Sequence, residues 1–152
     1  MTPRPLEREA ILPRLDGIRK NLKKLEELSR LPFDQFSEGD SFDLAQHHLR
    51  LALEGVFNIC SHVLSRLPGG RATEYKEMAR KMAELKALPR DFVERAMIPM
   101  AGMRNILVHY YADIDARRLY EIIGKHRDDL EKFLSYVKEI LKDPSRLGLS
   151  MA

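Results

Sequence analysis

The chain of 152 residues has 44% hydrophobic and 32% charged residues, a balance that excludes an intrinsically disordered protein. Its net charge of +3 and pI near 9.0 are compatible with RNA binding but do not require it. The N-terminus lacks the apolar segment of a signal peptide, and no apolar run is long and uncharged enough to cross a membrane. We therefore expect one cytoplasmic domain that spans residues 1–152.

The first half of the chain predicts two long helices joined by a linker. The first begins near Pro5 and repeats apolar residues at spacings of three and four. Pro32 and Gly39 interrupt helical structure, so residues 31–40 are predicted as a linker whose phenylalanines fold back onto the bundle. The second helix spans about residues 42–67, is apolar on most sides and contains the single cysteine, Cys60. Either a second copy of the chain covers its far side or it is the central helix of a monomer, and we favour a homodimer.

The second half predicts shorter helices separated by turns. Thr73 is predicted to cap a third helix, in which Tyr75 belongs to the apolar stripe. A fourth helix begins at about Arg90. Pro99 lies inside it and should kink it, because proline removes a backbone donor, and Gly102 should allow close packing.

The last predicted helix completes an all-α protein, an up-and-down bundle of four to five helices. Asp115 is expected to cap this helix, which places His126 on its packed stripe, and the tail from residue 147 is expected to fray. No segment has the pattern of a strand. The histidines of the second helix lack carboxylates at the spacing of a zinc site, so we expect neither a metal nor another cofactor.

The side chains best suited to chemistry are concentrated in one stretch, Arg104-Asn105-Ile106-Leu107-Val108-His109-Tyr110-Tyr111. On a helix, Asn105 and His109 are four residues apart and share a face. Arg104 and His109 are five apart, and their directions on an unbroken helix differ by roughly 140°. The two can act on one substrate only if the helix ends near His109 or a second copy of the chain completes the site.

These residue types fit attack of an RNA 2′-hydroxyl on the adjacent phosphate. Histidine titrates near neutral pH, so His109 can transfer the proton. Arginine is permanently charged, so Arg104 can stabilise the negative charge that develops on the phosphate oxygens. Asn105 could orient the imidazole or the phosphate. The scheme requires no metal.

The pattern Arg-x4-His-x-Tyr, here Arg104, His109 and Tyr111 with Asn105 directly after the arginine, resembles the signature of HEPN-domain ribonucleases. The similarity is greatest to the HepT toxins of HepT–MntA toxin–antitoxin pairs, and it covers most of the chain. It implies a helical bundle, a symmetric homodimer with the motifs facing across the interface, and metal-independent cleavage of mRNA or tRNA. It also implies an MntA-like nucleotidyltransferase antitoxin that silences the toxin by transferring AMP to Tyr111.

Two other interpretations use the same residues. A non-catalytic binding subunit of a nucleotidyltransferase would present Tyr111 and bind nucleotide phosphate through Arg104 without cutting RNA. A plain helical interaction domain would leave Arg104 and His109 far apart. Taken singly, a histidine near a helix end is more often a cap than a catalyst, so the motif as a whole favours the ribonuclease.

Overall fold

Two long helices pack side by side in the computed structural model, which describes residues 2–152: α1 (Arg8–Ser29) and α3 (Ser41–Ser65). Gly55 allows their close approach, because a Cβ at this position would lie only 2.9 Å from the Cγ1 atom of Ile18. The apolar residues that α1 buries recur at spacings of three and four, as expected for one helix face: Ile11, Leu15, Ile18, Leu22 and Leu25.

The predicted linker is more ordered than expected, because it contains a short helix, α2 (Phe33–Ser37). Phe36 is fully buried and its ring lies 5.0 Å from that of Tyr120. Phe33 is partly buried and contacts the same tyrosine edge-on. The prediction that both phenylalanines fold back onto the bundle is confirmed. The prediction that this linker contains no helix was wrong, because burial of the two rings is enough to order one helical turn.

Helix α3 buries ten residues, among them Cys60. Burial raises the pKa of the Cys60 thiol, so this residue behaves as a small apolar core residue, as predicted. Much of the apolar circumference of α3 is thus covered by helices of its own chain. The homodimer expected from that circumference is not tested by a single chain.

The next helices are α4 (Tyr75–Glu84), α5 (Arg90–Phe92) and α6 (Ile98–His109), with a π turn at Val93–Met97 between the last two. The predicted cap of α4 was wrong by one residue. Glu74 occupies the cap position, and Thr73 instead donates its backbone N–H to the Glu77 carboxylate at 3.4 Å.

Pro99 disturbs the helix in the turn before it. In the π turn, the Ile98 N–H bonds to the Val93 carbonyl five residues back, instead of four. Proline has no N–H and its ring clashes with the carbonyl four residues earlier, so a widened turn gives it room. The helix therefore continues through Pro99 to His109 and does not break.

The final helix of the prediction is two helices, α7 (Ala116–Lys125) and α8 (Arg127–Lys142). The Asp115 cap is confirmed, since its carboxylate accepts the Arg118 N–H at 2.7 Å. His126 was wrongly placed in the packed stripe. It lies at the break with an exposed side chain, and the Arg127 guanidinium donates to the Ile123 carbonyl at 2.6 Å beside it.

The C-terminal tail is held against the N-terminal segment, so the expected fraying was wrong. The Leu6 N–H donates to the Ser150 carbonyl at 2.8 Å, and the Ala152 N–H donates to the Leu6 carbonyl at 2.9 Å. Leu6 is fully buried. This pairing, which we call the terminal clasp, is an isolated bridge between Leu6 and Met151.

The prediction of an all-helical fold is confirmed for residues 2–152, where the terminal clasp is the sole β-type pairing. One hydrophobic cluster includes buried residues from Leu6 to Leu149. Within this range, no helix is both long and apolar enough to cross a membrane.

Candidate active site at the end of helix α6

Helix α6 ends at the motif histidine. The Tyr110 N–H still donates to the Ile106 carbonyl at 2.9 Å, but its backbone angles of φ −133° and ψ 34° leave the helical region. A short 3-10 turn, Tyr111–Asp113, follows before the Asp115 cap of α7. Arg104 and His109 could be brought together by a helix end near His109 or by a second copy of the chain. The helix end is already present within a single chain.

The end of α6 and the start of α4 enclose an open depression of about 540 Å³, here called the α4–α6 depression. The three predicted catalytic side chains all line it, despite the roughly 140° that separates Arg104 from His109 on an ideal helix. The lining residues are Thr73, Glu74, Tyr75, Lys76, Arg104, Asn105, His109 and Tyr110.

Arg104 lies over an aromatic ring. Its guanidinium carbon is 4.3 Å from the centre of the Tyr75 ring, within the range of a cation–π contact. Its Nε atom is buried and has no hydrogen-bond partner among residues 2–152, and no carboxylate in that range pairs with it. An unpaired, partly buried cation is costly in a folded protein unless a ligand anion completes it.

Tyr75 and Lys76 are site residues that the sequence analysis missed. Tyr75 was assigned to the core stripe of its helix. In the structure it is half-buried, with the Phe57 ring 5.1 Å away on the core side and Arg104 over the ring. The pairing of residues 75 and 104 depends on how α4 packs against α6, and no local pattern in the sequence carries that information.

The two adjacent tyrosines face different surroundings. Tyr110 is 60% exposed, lines the α4–α6 depression and has its ring 6.4 Å from that of His109. Tyr111 is 66% exposed and lies outside the lining, at the start of the 3-10 turn. The motif tyrosine is therefore accessible from solvent beside the site, whereas its neighbour forms part of the wall.

Two histidines of α3, His48 and His62, have hydrogen-bond partners. His62 Nε2 accepts the Glu7 N–H at 3.1 Å, and His48 Nδ1 lies 2.9 Å from the Asn21 side-chain oxygen. Arg50 and Glu54 form an intrahelical ion pair at 3.2 Å. In the described range, no group of three or more potential ligand side chains is placed to hold a metal ion.

A second cleft, of about 270 Å³, lies between α3, α6, α7 and α8 and is mostly apolar. Two of its charged residues, Arg95 and Asp129, neutralise each other at 2.9 Å. It lacks the motif residues Asn105 and His109 and the buried, unpaired Nε of Arg104, so the α4–α6 depression is the better candidate for chemistry.

Comparison with known proteins identifies the family of this chain. A family model described as ribonuclease HepT-like matches residues 18–137, most of the chain. The chain belongs to this family. The tRNA nuclease HepT of Aphanizomenon flos-aquae is 26% identical over 136 residues, which is 89% of this chain and 90% of that protein.

Solved toxin structures share the fold of this HepT-like chain. The tri-AMPylated HEPN toxin of Shewanella oneidensis, in complex with MNT antitoxin, matches with a TM-score of 0.77 and 19% identity over 86% of this chain and 97% of that one. A toxin–antitoxin complex with AMP-PNP matches with a TM-score of 0.78 and 17% identity, over 86% and 98% of the two chains.

These comparisons confirm the predicted resemblance, the HEPN-type helical fold and the prediction of an RNA-cleaving enzyme at the level of the family. The roles of Arg104, Asn105, His109 and Tyr111 rest on the residues themselves.

Proposed function

We propose that this HepT-like ribonuclease is the toxin of a cytoplasmic toxin–antitoxin pair and cuts RNA in the α4–α6 depression. The observation that carries the proposal is the convergence of Arg104, Asn105 and His109 in one depression that contains an unpaired guanidinium. Because a relative is named a tRNA nuclease, tRNA is the first substrate to test.

The reaction is a phosphoryl transfer within the RNA. The 2′-oxygen bonds to the adjacent phosphorus and loses its proton, while the bond from phosphorus to the 5′-oxygen breaks and that oxygen gains a proton. His109 transfers protons in these steps, since imidazole exchanges them near neutral pH. Arg104 stabilises the charge on the equatorial oxygens, and Asn105 orients the imidazole or the phosphate.

The active form is a homodimer in which two such depressions face each other. Ile106 is 36% exposed on the final turn of α6, next to the two exposed tyrosines. Exposed apolar side chains grouped at a helix end favour coverage by a second copy of the chain. Sedimentation equilibrium of the purified protein should give twice the monomer mass, whereas a monomer at all concentrations would contradict the dimer.

A nucleotidyltransferase antitoxin silences the enzyme by transferring AMP to Tyr111. The exposed hydroxyl group is accessible to a partner enzyme, and the added phosphate places negative charge and bulk beside Arg104. RNA phosphate is then repelled and excluded. Incubation with the antitoxin and ATP should add AMP to the protein and to Tyr110→Phe, but not to Tyr111→Phe, as read by mass spectrometry of tryptic peptides.

Expression of this chain without a partner tests the ribonuclease directly. We expect growth arrest and new RNA fragments on a denaturing gel from the parent and from His126→Ala, an exposed histidine outside the depression. His109→Ala should give neither, with unchanged helical content by circular dichroism. Intact RNA with soluble parent protein would favour the alternative, a non-catalytic binding subunit of a nucleotidyltransferase.

A further inference from the structure

We infer that Tyr75 is a positioning residue for Arg104, and that its ring holds the guanidinium so that the phosphate of the RNA meets a fixed pair of N–H donors. This inference rests on the proposed function of the α4–α6 depression. It adds a residue from a different helix, about thirty positions upstream, to the Arg-x4-His-x-Tyr motif.

The contact between Tyr75 and Arg104 does not require the N–H groups of the guanidinium as hydrogen-bond donors. The guanidinium carbon lies 4.3 Å from the ring centre, and a cation–π contact is an attraction to the ring as a whole that needs no hydrogen-bond acceptor. A carboxylate partner would instead occupy those N–H groups. The aromatic support thus restricts the motion of Arg104 without competing with a phosphate for its donors.

The Tyr75 ring is itself fixed from behind by the core. Its centre lies 5.1 Å from that of Phe57, a fully buried residue of α3. Since Tyr75 is the first residue of α4, its backbone is also held by the helix. The position of Arg104 on α6 is therefore set through contacts that begin in the α3 core.

The positive charge of Arg104, which contacts Tyr75 and no carboxylate among residues 2–152, points to an anionic ligand. Three other arginines have a carboxylate partner: Arg50 has Glu54, Arg66 has Glu7 and Arg95 has Asp129. Arg104 has no such partner in the described range, and its buried Nε has lost water without gaining an acceptor. A phosphate in the depression would supply the missing negative charge.

The ring, and not the hydroxyl group, carries this role. The Tyr75 hydroxyl forms no hydrogen bond with any of residues 2–152. Phenylalanine should therefore replace tyrosine with little effect, whereas leucine fills similar space but has no π face. Phe33→Leu is a matched control, because it removes an aromatic ring from beneath another arginine, Arg117, at 3.7 Å and away from the depression.

Steady-state cleavage of a defined RNA by the purified protein tests the inference. Tyr75→Leu should lower kcat by roughly 3- to 30-fold, the factor that a partly desolvated cation–π contact is worth, while KM changes less than kcat. Tyr75→Phe should restore most of kcat. Phe33→Leu should lower thermal stability but leave kcat unchanged. Parent kcat in folded Tyr75→Leu would overturn the positioning role.

A second readout does not depend on RNA cleavage. Titration with inorganic phosphate, followed through the Arg104 Nε–H signal by NMR, should give several-fold weaker binding in Tyr75→Leu than in the parent and Tyr75→Phe. If the parent cuts no RNA, the proposed function fails, but this titration still decides the role of Tyr75. Equal phosphate binding by the parent and Tyr75→Leu would overturn it.

Discussion

The α1–α3 pair and the α4–α6 depression differ in how far their side chains are buried and paired. Helix α3 buries ten residues, and its glycine allows α1 to approach within contact distance. At the end of α6, two tyrosines and an isoleucine are exposed, and the buried Nε of Arg104 has no acceptor among residues 2–152. Contacts within the chain cover the first region, whereas the second keeps exposed side chains and an unused hydrogen-bond donor.

This difference separates the residues that stabilise the protein from those that we propose carry its chemistry. Groups that must meet a substrate keep exposed surface and unused hydrogen-bonding capacity, which add nothing to folding stability. The buried pair supplies the rigid support on which such groups are held in place. Substitutions in the α1–α3 pair should therefore lower stability, whereas substitutions in the α4–α6 depression should lower activity with little loss of stability.

The largest expected effect comes from one substitution made in both regions. Ile59 in α3 is fully buried, and Ile59→Ala should reduce the free energy of unfolding by about 2–5 kcal/mol, since it leaves a cavity. Ile106→Ala in α6 removes the same atoms from a side chain that is 36% exposed in the single chain, and should cost the monomer less than about 1 kcal/mol. Urea denaturation measures both, and equal losses would break the comparison.

A second pair of substitutions adds one methyl group to each region. Gly55→Ala would force its Cβ against Ile18, a stiff buried side chain, and overpacking of this kind costs about 1–3 kcal/mol. A Cβ at Gly102 would meet only the Cε atom of Lys76, at 4.0 Å, so close packing does not require this glycine, contrary to our prediction. Gly102→Ala should instead stabilise its helix by about 0.5–1 kcal/mol. Thermal denaturation of both variants decides the sign of each effect.

Low pH should reduce the folding stability of the protein through His62. Burial lowers the pKa of His62, and the charge of Arg66 lowers it further. The neutral ring accepts the Glu7 N–H at 3.1 Å. The neutral form is the one that folding favours, so its contribution is fully present above the ordinary pKa of 6.5 and is lost as pH falls through the lowered pKa. The melting temperature should fall with acidification, and less steeply in His62→Gln. If the melting temperature falls equally steeply with pH in the parent and in His62→Gln, His62 does not contribute to the acid response. Burial also lowers the pKa of His48, which contributes equally in the parent and in the variant.

The smallest expected effect on stability belongs to the exposed tyrosines. Tyr110→Ala and Tyr111→Ala should each change the free energy of unfolding by no more than about 0.5 kcal/mol, as is usual for exposed side chains. Chemical denaturation beside the RNA-cleavage assay sharpens the comparison. A large loss of stability in either variant would show that the tyrosines belong to the packed structure.

Features governed by neighbouring residues could be read from the sequence. The Asp115 cap depends on contacts within a few positions, and the structure has it. The helix end near His109, one of the two alternatives that the sequence offered, is present as well. The clustering of motif residues on one short stretch also located the candidate site. The α1 stripe was predicted correctly because its period is a property of the helix itself.

Features governed by distant residues could not be read in this way. The break at His126 and the terminal clasp depend on how α7, α8 and the tail pack, which periodicity does not encode. Tyr75 shows the same limit at the site, because its apolar spacing is that of a core residue. Only the packing of α4 against α6 turns it toward Arg104.

The terminal clasp has a consequence for the order in which the protein is assembled. Leu6 is synthesised well before its backbone partners, Ser150 and Ala152, because a chain is made from its N-terminal side. Helices α1 and α3 can pack as soon as both are made, while the buried position of Leu6 stays open until those partners follow. A growing chain therefore completes the packing around Leu6 later than the packing of its first helices.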